Sequence, residues 1–129
     1  MTFELTCLAL SALLMFGQIL VQAVGSISSH KLGFLVGPRD GMEDKTVLTG
    51  RARRANANLI EGLAMFTPLV RIAHVTGETS ALTAAGAALF FWGRVVFAVT
   101  YYLGVPWVRT LAWAASIAGI FCFAWELFV

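Results

Sequence analysis

Charge is scarce in this sequence: 12% of its 129 residues are Asp, Glu, Lys or Arg, while 59% are hydrophobic. A soluble domain carries about twice that share of charge, so an ordinary water-facing globular surface is excluded and the chain reads as one membrane domain. Cysteine is scarce as well. Cys7 and Cys122 each stand inside an apolar segment with no second Cys or His at ligand spacing, which argues against a disulfide or metal site and for two small core residues. The net charge is only +2, and no aromatics interleave with the basic residues to stack bases, so no nucleic-acid partner is expected. A basic leader is missing too. The first charge is Glu4; Val21-Gln22-Ala23 loosely resembles a cleavage site, but the apolar run from Phe3 to about Ile27 is long and reads as a first membrane span.

Four apolar stretches are present, and they predict membrane helices over about 3–27, 51–75, 80–103 and 106–128. Between the first two lies a long loop over about 28–50, punctuated by Gly33, Gly37, Pro38 and Gly41, which cannot continue a helix. Pro68 predicts a kink in the second span, because it removes an amide donor and its ring meets the carbonyl of Ala64. Thr79 or Ser80 is placed to cap the third span. Small residues there, including Ala84, Ala85, Gly86 and Ala88, let a neighbouring helix approach closely. In the fourth span Trp107, Trp113 and Trp125 read as interface or packing aromatics. The resulting fold class is all-α: a four-transmembrane-helix antiparallel bundle in which residues 1–129 form a single membrane domain.

Orientation follows from where Lys and Arg stand. Lys31, Arg39, Lys45, Arg51, Arg53 and Arg54 crowd the first loop and the start of the second span, Arg109 opens the fourth, and neither terminus carries a basic side chain. Positive charge stays inside, so both termini are expected outside. A short chain without a targeting signal points to a bacterial inner membrane.

The run Arg51-Ala-Arg-Arg-Ala-Asn-Ala-Asn-Leu-Ile-Glu61 leads a basic segment into apolar sequence and carries a carboxylate with it. Arg54, Asn58 and Glu61 share one helical face. An ionisable group at membrane depth needs a partner and marks a binding site or pathway. Arg94 lies roughly 15 Å and Glu61 roughly 10 to 15 Å from the inner ends of their spans, at a rise of about 1.5 Å per residue, so the two are expected to pair. Tyr101 lies seven residues beyond Arg94, and the topology brings it and Arg109 to the same end. Several guanidinium groups, one carboxylate and two neutral hydrogen-bonding side chains suit a small zwitterion with excess negative charge, the forks taking carboxylates and Glu61 an amine.

These residues resemble a family. Arg54-Ala-Asn-Ala-Asn58-Leu-Ile-Glu61 is similar to the Arg-Ala-x-x-Asn-x-x-Glu signature of MAPEG proteins, the membrane-associated proteins of eicosanoid and glutathione metabolism, and in particular to the microsomal glutathione transferases. Gly93-Arg94, Tyr101 and Pro106-Trp-Val-Arg109-Thr110 also resemble the corresponding third- and fourth-helix features. The resemblance implies a homotrimer that holds glutathione as co-substrate between neighbouring subunits on the cytoplasmic side, with lipids and lipophilic small molecules as further partners. It implies that Arg54, Asn58 and Glu61 grip glutathione with help from Tyr101, and that Arg109 is the catalytic residue facing the sulfur; Arg51, Arg94 and Thr110 complete the expected glutathione-binding set. A free thiol, of pKa about 8.5, is only a few per cent thiolate at neutral pH, and an adjacent guanidinium favours the reactive anion. Eicosanoid-forming members have a Tyr where this chain has Gly62 and a Tyr or His where it has Phe97, so prostaglandin or leukotriene synthesis is not expected.

Three functions of different class fit the sequence. The first is a glutathione-dependent transferase or peroxidase acting on lipophilic electrophiles. The second is a non-catalytic scaffold that binds lipid or glutathione. The third is a small proton-coupled transporter built around Glu61, against which Arg54 and Arg94 stand, since they would hold the carboxylate ionised.

Overall fold

The computed structural model describes residues 1–129 and contains five helices, α1 (Phe3–Ser29), α2 (Leu32–Val36), α3 (Val47–Thr76), α4 (Ala81–Leu103) and α5 (Pro106–Phe128). All but α2 are long and apolar enough to cross a membrane. The first turns carry caps that satisfy otherwise orphaned amides. Thr2 accepts from the amide of Leu5 at the head of α1, and Thr46 accepts from that of Thr49 at the head of α3. The Thr46 cap starts α3 well before the expected Arg51, which places Arg51 inside the helix. At α4 the cap is Ser80, whose hydroxyl accepts from Leu82 and Thr83 while its own amide donates to the Thr83 hydroxyl. Helix α3 runs through Pro68 without a break. The loop expected over 28–50 is shorter than its sequence suggested: α1 reaches Ser29, α2 takes up Leu32–Val36, and an irregular stretch remains over 37–46.

Contacts at both ends fix the antiparallel order. At the end holding the two termini, the Thr83 hydroxyl donates to the buried Glu4 carboxylate at 3.0 Å, joining the heads of α1 and α4. At the other end, called here the loop end, Arg51 donates to the carbonyl of Tyr102 at 3.0 Å, joining the start of α3 to the finish of α4.

Packing is densest between α4 and α5 and depends on small residues. Gly86 and Gly119 face each other so closely that a Cβ on either would overlap the other's carbonyl oxygen. In a membrane, where lipid tails remove the hydrophobic drive between helices, such close approach supplies much of the attraction. Next to this seam the rings of Phe66 and Phe90 stack at 3.9 Å between centroids, and Phe123 meets Phe66 edge-on at 5.5 Å. All three are fully buried.

Helix α1 packs differently. Its inward side carries Glu4, Ser11 and Gln18, all buried, while Leu13, Phe16, Leu20 and Val24 face outward. Asn56 of α3 donates its amide to Gln22 Oε1 at 2.5 Å and to the carbonyl of Gln18 at 3.4 Å. Polar side chains inside a membrane bundle hold helices together because the alternative is an unmet group in hydrocarbon.

Candidate functional site

At the loop end the helices part around a cavity of about 290 Å³ lined by Asn58, Phe97, Tyr101, Arg109, Thr110 and Trp113. Three helices supply it. Tyr101 lies in the last turn of α4, Arg109 in the first turn of α5, and Asn58 on α3 one turn beyond Arg54. The guanidinium carbon of Arg109 sits 4.8 Å from the centre of the Tyr101 ring, a cation–π contact. From the other side Arg54 Nε donates to the Tyr101 hydroxyl at 3.2 Å. Tyr101 thus holds two arginines from two helices in fixed positions. Phe97, one turn earlier, lies 5.3 Å from the Tyr101 ring and closes the floor with an apolar face.

Arg94 is the deepest charge in the bundle and is buried. The expected pairing with Glu61 is not what the structure contains. Arg94 donates to the side-chain oxygen of Asn58, and its fork lies flat along α3 over Gly62, where any Cβ would collide with it. Its Nε has no partner, and its Cζ lies 5.1 Å from the Phe90 ring. Glu61 is exposed on the next face of α3. The cause is local: Gly62 opens a flat berth on the helix surface one residue past Glu61, and Asn58, one turn earlier on that berth's edge, supplies the acceptor. The one ion pair within 4 Å is elsewhere, between Arg53 and Asp44 at 2.6 Å.

The remaining expected site residues divide. Thr110 lines the cavity, but its hydroxyl donates to the carbonyl of Pro106 at 3.0 Å. Arg51 lies outside the cavity, with its fork over Gly104 and on the Tyr102 carbonyl, where it closes the end of α4. Trp113, which the sequence offers only as an interface or packing aromatic, completes the cavity wall; its place one turn after Arg109 is the signal that puts it there. The Gln18–Gln22–Asn56 group escapes sequence reading, although two glutamines one turn apart in an apolar span mark an inward face.

Exposure adds one more feature. Arg54 and Glu61 both stand exposed on one side of α3, two turns apart within the span. Such groups do not face lipid at membrane depth; they line a water-filled space or meet another protein surface. A four-helix membrane bundle with a cationic, aromatic-floored cavity at one end, beside a helix face on which Arg54 and Glu61 stand exposed, defines the structural class.

The chain matches the model of the MAPEG family over residues 3–129, essentially its whole length, and belongs to that family. No curated protein and no solved structure matches it.

Proposed function

We propose that the protein is a glutathione-dependent transferase or peroxidase acting on lipophilic electrophiles, working as a homotrimer. The observation that carries the reading is the pairing of Arg109 and Arg54 across Tyr101 beside the cavity. Two fixed guanidinium groups suit an anionic, carboxylate-bearing thiol compound. In this reading Arg54 and Asn58 take the carboxylates and Glu61 takes the amine. Arg109 stands beside the sulfur and stabilises the thiolate after its proton leaves for solvent. The thiolate then attacks an electrophilic carbon that arrives from the bilayer, forming a carbon–sulfur bond as the leaving group departs or an epoxide opens. Phe97 and Trp113 give the electrophile an apolar wall.

A neighbouring copy is proposed because Arg54 and Glu61 are uncovered on α3 in one subunit and a second subunit would enclose them; the number three follows the family resemblance. Both termini are proposed to lie outside, on the strength of the arginines and lysines gathered at the loop end, and the membrane is proposed to be a bacterial inner membrane.

A non-catalytic scaffold is the second reading, and it too has an observation in its favour. Gly62 and Phe97 present no hydrogen-bonding side chain, and Arg94 fills the space beside Gly62. A binding titration followed by a turnover assay separates the two readings from each other and from a transporter. Calorimetry of glutathione into the detergent-solubilised protein should show binding that weakens by about 2 kcal/mol in Arg54→Ala, the loss of a charge-assisted bond. A scaffold binds without turning over an aryl electrophile. Wild-type protein that shows no glutathione binding would remove the glutathione reading.

A further inference from the structure

A second cavity lies in the same subunit, between α1 and the short α2, and the site described above does not use it. It measures about 400 Å³, within the range of about 300 to 1,000 Å³ typical of small-molecule sites. Its walls are aliphatic: Ile19, Ala23 and Ile27 come from the last turns of α1, and Leu32, Leu35 and Val36 from α2. Three polar side chains complete the lining, Gln22, Ser26 and Arg39.

Their chemistry is one-sided. The Gln22 carbonyl oxygen is already taken by Asn56, which leaves its amide nitrogen as the free half, a donor. Ser26 offers a hydroxyl. Arg39 is held by its backbone and by its side chain. Its φ of 59° lies in the left-handed region that non-glycine residues seldom adopt, and its Nε donates to the carbonyl of Leu35 at 2.6 Å. The guanidinium is thereby turned back over α2, with both terminal nitrogens available to an oxyanion. Backbone strain of this kind is kept where the surrounding structure uses it.

We propose that this cavity is a site for an anionic phospholipid of the surrounding bilayer, one acyl chain lying between α1 and α2 and the phosphate held by Arg39 with Gln22 and Ser26. The ligand class follows from the lining: an aliphatic trough that opens at the end of a membrane span, rimmed by donors and one cation and by no carboxylate. Elsewhere in the connection Lys31 and Lys45 are offset by Asp40, Glu43 and Asp44, so the headgroup preference rests on Arg39 with Gln22 and Ser26 at the cavity itself. The site is built from α1, α2 and the turn that follows α2, and does not depend on glutathione binding. It ties the connection between α1 and α3, which carries few tertiary bonds of its own, to the membrane surface.

The test is native mass spectrometry of the protein in non-ionic detergent, titrated separately with palmitoyl-oleoyl phosphatidylglycerol and with palmitoyl-oleoyl phosphatidylcholine. The wild type should retain one phosphatidylglycerol per subunit, with an affinity about tenfold above that for phosphatidylcholine, the size expected of one charge-assisted contact. Arg39→Gln, a change at an exposed residue, should abolish the preference while leaving thermal stability and glutathione binding unchanged. Ala23→Phe, which fills the trough, should reduce retention of both lipids. Equal retention of the two lipids by the wild type, or an undiminished preference in Arg39→Gln, would overturn the proposal.

Discussion

The two ends of the bundle are built on opposite plans. Toward the termini, Phe66, Phe90 and Phe123 lock together beside the Gly86–Gly119 contact, and Glu4 is buried there against Thr83. At the loop end the buried apolar cluster shrinks to Ala55, Phe97 and Ala112. Around it stand Arg51, Arg54, Arg94 and Arg109, held by aromatic rings, an amide and backbone carbonyls rather than by acids. One end is packed for cohesion and the other is held open around four arginines that make no ion pair. A bundle of this size needs the first in order to keep the second, because cations without direct ion-pair partners are costly at membrane depth and persist only where the scaffold is fixed elsewhere.

If that division holds, the largest stability loss should come from the packed end. Phe123→Ala removes a fully buried ring from the three-ring cluster, one that does not touch Arg94, and should cost about 3 to 5 kcal/mol in reversible unfolding in detergent. Glutathione affinity of the fraction that remains folded should stay at the wild-type value. A loss of affinity as large as the loss of stability would show that the two ends are not separable.

Gly62→Ala probes the seam between the ends. The added methyl meets the Arg94 guanidinium and should destabilise the protein by about 1 to 3 kcal/mol, while pushing Arg94 off Asn58. Unlike the ring deletion, this change should also disturb binding, since Asn58 lines the cavity. Unaltered stability would mean that Arg94 does not lie over Gly62.

The smallest stability effect is expected at Glu61. Because Glu61 is exposed and makes no ion pair with Arg94, Glu61→Gln should change the stability of the ligand-free protein by no more than about 0.5 kcal/mol, the ordinary range for a surface substitution. A loss of about 3 to 5 kcal/mol, as expected for one side of a buried pair, would restore the Arg94–Glu61 bridge.

That reversal also marks what the sequence carried and what it did not. The four spans, their order and their approximate limits could be read from runs of apolar residues, and the convergence of Asn58, Tyr101 and Arg109 from topology. Hydropathy reports only whether a residue is apolar, so it could not place α2 or the early start of α3 after Thr46, both set by local hydrogen bonds. The partner of Arg94 is hidden from the sequence for a related reason. Depth along a span can be computed from the rise per residue, but the direction of a side chain depends on where a neighbour leaves room, and Gly62 left it on the face beside Glu61. Arg51 shows the same limit: the sequence groups it with the glutathione contacts but does not reveal that its fork lies on the Tyr102 carbonyl at the end of α4.

The central claim is that the arginines of the open end, and Arg109 above all, act on a thiol. Its most direct test is the ultraviolet difference spectrum of thiolate when glutathione is added to purified protein across a pH series, for the wild type, Arg109→Lys and Arg109→Ala. The lysine variant keeps charge and loses the planar fork, and the alanine variant loses both. The account predicts that bound glutathione ionises below the free-thiol value of about 8.5 in the wild type, partway back in Arg109→Lys and near that value in Arg109→Ala, with transfer to an aryl electrophile in the alanine variant recovering as pH rises. Identical titration curves in all three proteins, with glutathione bound in each, would contradict it.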